Sequence, residues 1–125
     1  MSQLQKVSFT NITNFPHGNK EQNQLLVRGV QSSVPASTLT TVATLAANGV
    51  RFVTKVLCSG HEHAKWELYV DSAIVATKRG EYTQEFEFDS TPYRIDDGSA
   101  MDVKVTHYGA GTPDFDVSII GYDRV

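Results

Sequence analysis

The sequence predicts an all-β domain, an antiparallel two-sheet sandwich of jelly-roll or related Greek-key type. Three observations predict it. Short runs of alternating side chains recur along the whole chain, and strands place successive side chains on opposite faces. Turn signals rich in Gly, Pro, Asn and Asp separate those runs. No run keeps a helical period, and about nine or ten short strands so spaced read as a two-layer sandwich.

Taken in order, residues 4–10 (LQKVSFT) alternate as a first strand, with Val7 and Phe9 on one face. Residues 11–24 hold four Asn, one Pro and one Gly and read as a long loop anchored by Ile12 and Phe15. Residues 25–31 form a short strand, and Pro35 ends it in a turn. Residues 38–46 (TLTTVATLA) favour strand through Thr and Val. Their alternation sets Leu39, Thr41, Ala43 and Leu45 against Val42 and its neighbours. Asn48-Gly49 is the strongest hairpin signal, since a type I′ turn wants positive φ at both residues.

The stretch Val50 to Lys78 reads as three strands around which the rest is organised: Val50–Cys58, Lys65–Val70 and Ala73–Lys78. In the second, Trp66, Leu68 and Val70 face the core, while Lys65, Glu67 and Tyr69 face water. Trp66 is the only tryptophan and is expected at the core's centre. A tight turn falls at Asp71-Ser72. Residues 82–89 alternate strictly, sending Phe86 and Phe88 inward. A short piece at Tyr93–Ile95 follows. Residues 100–108 bring Val103 and Val105 inward, and residues 114–122 do so with Phe115, Val117 and Ile119.

At 125 residues the chain is one domain by length, long enough to bury roughly two thirds of its unfolded surface. Residues 1–20 read as an N-terminal arm with the first strand and loop, and residues 21–125 as the sandwich. Net charge is -3 and no Lys/Arg cluster stands out, which argues against a nucleic-acid partner. No uncharged run is apolar enough to span a bilayer. The start, MSQLQKVSF, lacks the apolar region of a secretory signal. One cysteine, Cys58, excludes an internal disulfide and fits a reducing compartment.

Motifs for chemistry are sparse. Cys58, His61 and His63 lie within six residues and are a weak metal candidate at a hairpin tip. The competing reading is a solvated turn with a small buried thiol. No fourth ligand is near in sequence, so neither metal nor any other cofactor is expected. Carboxylate pairs at Glu85/Glu87 and Asp114/Asp116 fall on wet faces, and Asp96/Asp97 lies in a turn. They read as solvated charges that keep sheet edges apart rather than a glycosidase pair. Nucleophile, P-loop and dinucleotide patterns are absent from the sequence. No enzyme is expected. Outward aromatic residues are the remaining signal: Tyr69, Tyr93, Tyr108 and Tyr122, with Phe9, Ile12 and Phe15 of the arm, are the expected interface.

The segment from Val50 to Gly80 resembles a pattern in small β-sandwich structural proteins of tailed bacteriophages. A strand ends in Ser59-Gly60 and a polar turn follows. An aromatic-x-Leu-Tyr-hydrophobic-Asp strand comes next at Trp66 to Asp71, then a short strand at Ala76 to Arg79. The ending DFDVSIIGY, residues 114–122, also resembles their closing strand. The chain departs from the pattern at Asp71-Ser72-Ala73, where the pattern has Asp-Gly. The resemblance implies a virion component assembled in the host cytoplasm, and first of all a capsid decoration (cement) protein. It implies a homo-oligomer, with a trimer favoured, that binds the major capsid protein or other virion proteins through terminal arms. The alternative is a carbohydrate- or receptor-binding module of a tail fibre or neck.

Overall fold

A computed structural model of the chain describes residues 22–60, 63–80 and 82–124. Among them are nine strands. They are β1 (Gln22–Gln31), β2 (Thr40–Ala46), β3 (Arg51–Ser59), β4 (Ala64–Val70), β5 (Ala73–Gly80), β6 (Thr83–Glu87), β7 (Tyr93–Ile95), β8 (Ala100–His107) and β9 (Phe115–Arg124). The five-stranded sheet runs β1-β9-β3-β6, with β7 also pairing β3. The four-stranded sheet runs β2-β8-β4-β5. All pairings are antiparallel. The two sheets pack face to face, so the fold is an all-β sandwich.

The order is that of a jelly roll. Strand pairs nest inside one another: β4 with β5, β3 with β6, β2 with β8, and β1 with β9. The described residues form one long hairpin wrapped on itself, and its tip is the Asp71-Ser72 turn. Val70 pairs Ala73 across that two-residue turn. Both turn residues have positive φ, 51° and 72°, as a type I′ turn requires.

That corrects the expectation for Asn48-Gly49. β2 and β3 lie in different sheets, so this segment is a crossing between layers and not a hairpin. Only Gly49 has positive φ, at 92°. The crossing is latched to the β7–β8 turn: Gly49 N–H donates to Asp97 Oδ1 at 2.9 Å, and Ala47 N–H to the Ser99 carbonyl at 2.9 Å. The segment after Cys58 is likewise no hairpin tip, because β3 and β4 also belong to different sheets.

The core lies between the layers. Trp66, Leu68, Val103, Val105, Phe115, Val117, Ile119 and Phe86 are buried, and Val70 and Phe88 pack half-buried against them. The Trp66 ring meets Phe115 edge-on at 5.6 Å. His107, on the inward face of β8, is fully buried, and its Nε2–H donates to the Val34 carbonyl at 2.7 Å. Gly60 passes directly over the Phe115 ring, where a Cβ would collide. That contact gives Ser59-Gly60 a packing reason.

Four sequence expectations shift. β1 begins at Gln22, inside the expected loop 11–24, because β9 is long enough to pair it back to Arg124. In β2 the ladder slips between Thr41 and Ala43, so Val42 and Ala43 both turn inward. Glu67 is only 7% exposed, since β8 and β5 flank it on the face expected to be wet. Tyr82 precedes β6 with φ 58° and lies exposed. The first strand at 4–10 and the arm lie outside the described residues.

Candidate interaction surface

A bulge in β3 shapes the outer face of the five-stranded sheet. The β9–β3 ladder slips between Ile120 and Gly121, leaving Thr54 as the extra residue of β3. An extra residue breaks the period of two. Val53 and Val56 therefore both point inward, and Phe52 and Lys55 both point outward. Thr54 spans the break: its hydroxyl donates to the Ile120 carbonyl at 3.2 Å, and its carbonyl accepts from Phe88 N–H at 2.7 Å. Gly121 carries no Cβ, which would strike the Phe52 carbonyl.

The bulge turns Phe52 out onto the face of the five-stranded sheet where the unbroken β1–β9 ladder sets Leu26, Ile120 and Tyr122. Cross-strand registers set Leu26 beside Ile120 and Gln24 beside Tyr122. They set Ile120 beside Lys55 and Tyr122 beside Phe52. The Phe52 and Tyr122 rings stack at 5.1 Å with an interplanar angle of 24°. Leu26 is 62% exposed and Val30 60%. An open groove of about 470 Å3 runs along Gln24, Leu26, Thr54, Ile120 and Tyr122. Clustered apolar groups on an outer sheet face mark a contact surface more often than scattered single ones do.

Charges bound this face. Lys55 Nζ lies 3.9 Å from Glu85, 3.7 Å from Glu87 and 3.7 Å from Asp89. Three carboxylates against one ammonium leave the β6 rim negative. On the β1 side Arg28 stands beside Ser118. At the far end Arg51 pairs Asp123 at 2.9 Å, and its Nη1–H donates to the Ala46 carbonyl at 3.1 Å.

The expected interface residues do not converge. Tyr122 lies on this face. Tyr69 lies on the outer face of the other sheet, beneath Lys104 Nζ at 4.5 Å from its ring. Tyr93 is half-buried, edge-on to Phe88 at 5.8 Å. Tyr108 is exposed just after β8. Phe9, Ile12 and Phe15 lie outside the described residues. Leu26, Phe52 and Ile120 were not expected here. Phe52 escaped because a bulge leaves no mark in the pattern of residue types.

The Cys58, His61 and His63 group divides. Cys58 is buried and inward, and burial pushes its thiol up to about 12, where a thiolate ligand is disfavoured. His63 is exposed, and His61 lies outside the described residues. Among the described residues no three His, Cys, Asp or Glu side chains gather as a metal site. No helix among them is long and apolar enough to cross a membrane. The chain matches no protein-family model and no curated protein.

Proposed function

We propose that this chain is a non-enzymatic virion structural protein, a capsid decoration protein that binds and stabilises a phage shell. Its partner is the major capsid protein or another virion protein, and it acts in the virion after assembly in the host cytoplasm. The observation that carries the reading is the apolar outer face with Leu26, Ile120 and stacked Phe52 and Tyr122. The resemblance at Ser59-Gly60, Trp66 to Asp71 and residues 114–122 supplies the class of partner.

The test is sedimentation of the lysate in which the protein is made with its particles. The native chain is expected to travel with the particles. Leu26→Asp is expected to fold, because the site is largely exposed, and to lose more than about tenfold in particle binding through a buried charge at the contact. A native chain that stays in the soluble fraction overturns the reading. Particle binding unchanged in Leu26→Asp removes the face from it.

The second reading, a carbohydrate- or receptor-binding module, is favoured by the flat Phe52–Tyr122 stack. Trp66 is buried, so Tyr122 would present the sugar platform. Glycan-array binding that disappears in Tyr122→Ala would select this reading.

A further inference from the structure

The side of the sandwich formed by β5 and β6 has a self-complementary edge. Among the described residues, each of these strands ends its sheet. β5 is exposed over most of its length, and Ile74 on it is 53% exposed. An unblocked edge offers backbone groups to another chain.

Within one chain the two strands run level across the gap between layers. Gly80 lies against the Gln84 side chain, and Lys78 Nζ sits 5.9 Å over the Phe86 ring. Arg79 is therefore level with Glu85, and Thr77 with Glu87. Arg79 pairs Lys65 and Thr77 pairs Glu67, on the side of β4 away from the buried Trp66. Both thus lie on the outer face of the four-stranded sheet. Glu85 and Glu87 lie with Lys55 on the outer face of the five-stranded sheet. The β5 rim carries Arg79 and Lys65, the latter 3.8 Å from Glu67. The β6 rim carries Glu85, Glu87 and Asp89 around one Lys55. One rim is net positive and the other net negative.

We propose that a second copy of this chain docks on this side by two-fold symmetry, β5 of each copy beside β6 of the other. A two-fold axis parallel to the strands exchanges the two layers. The four-stranded sheet of one copy then continues the five-stranded sheet of the other. β5 and β6 are consecutive strands that run in opposite directions, so the new neighbours are antiparallel. Arg79 of one copy stands beside Glu85 of the other, and the pair occurs twice, as an isologous contact requires. Opposite charges at such rims fix register and partner. The assembly is two-fold, unlike the trimer that the phage resemblance favours, and it stands whether or not the chain binds a virion.

The test uses the full chain in sedimentation equilibrium. The expected mass is twice the 13.8 kDa of the chain, with dissociation increasing as salt is added. Arg79→Glu is expected to raise the dimer dissociation constant about tenfold or more, because the repulsion is counted twice. Combining it with Glu85→Arg is expected to restore association. Thr77→Cys with Glu87→Cys provides a second readout. These positions lie on opposite faces within one chain, so an oxidised link between them joins two chains. A single-chain mass at every concentration, a three-fold mass, or an Arg79→Glu variant that dimerises as well as the native chain overturns the proposal. So does the failure of the cysteine pair to link copies in the otherwise dimeric protein.

Discussion

At the scale of single residues, direction is legible wherever the period of two holds, as for Trp66, Phe115 and Ile119, and is lost where a bulge breaks it. Alternation and size place Trp66 as a core ring, while the sequence leaves Cys58 between a weak metal ligand and a small buried thiol. Phe52 could not be placed, because its orientation depends on Thr54, which has no distinctive residue type for a bulge. Cys58 gives a pH prediction. Its thiol is pushed up to about 12 in the folded chain, against an ordinary value of 9.0. The folded state therefore keeps the proton after the unfolded chain has lost it. The stability associated with this group is full below about pH 9 and falls as pH rises towards 12. By pH 10 the loss is about 1.4 kcal/mol. Urea unfolding at pH 8 and pH 10 should show that extra loss in the native chain and not in Cys58→Ala. The same slope in both proteins would assign it to other groups. Thiol reagents should label Cys58 only after unfolding.

Among the elements, strand existence was largely readable and strand pairing was not. The alternation of residues 100–108 and 114–122 matches β8 and β9 closely. Turn type follows topology where topology and local preference compete. The Asn48-Gly49 pair has the best type I′ residues, yet it joins two layers. The type I′ geometry falls to Asp71-Ser72, held by its own contacts: Asp71 N–H donates to the Ala100 carbonyl, and Ala100 N–H donates to Asp71 Oδ1, each at 3.1 Å. Those bonds explain Asp at the first position. Among the described residues nothing comparable involves Ser72, whose φ of 72° is costly for a residue with a Cβ. Ser72→Gly should therefore stabilise the domain by roughly 0.5–1 kcal/mol, the relief of strain exceeding the entropy of the added glycine. Asp71→Ala should cost about 1 kcal/mol through the lost acceptor. Thermal or urea unfolding reads both. A destabilised Ser72→Gly would mean that the serine makes a contact worth more than its strain.

For the whole molecule, the rhythm of short strands and turns predicts two layers, because alternating faces need a partner sheet to cover them. It does not predict which strands meet, since partners in this fold lie far apart in sequence. β1 pairs β9 from Gln31 with Phe115 to Gln22 with Arg124, so the outermost pair joins the two ends of the described chain. The innermost pair, β4 with β5, closes over two residues. Loop-closure entropy grows with the length enclosed, so the nested order suggests that the ribbon zips from the Asp71-Ser72 tip outward. Such a topology folds on the millisecond-to-second scale. Stabilising the tip should then act on the folding rate, and weakening the outer pair should act on unfolding. Ser72→Gly is expected to speed refolding about two- to fivefold with little change in unfolding. Val27→Ala, which trims β1 where it packs on the core beside Ile119, is expected to cost about 1 kcal/mol, mostly as faster unfolding. Refolding and unfolding rates across a urea series separate the two effects. If Val27→Ala slows refolding and Ser72→Gly leaves it unchanged, the chain nucleates where its ends meet and the tip forms late.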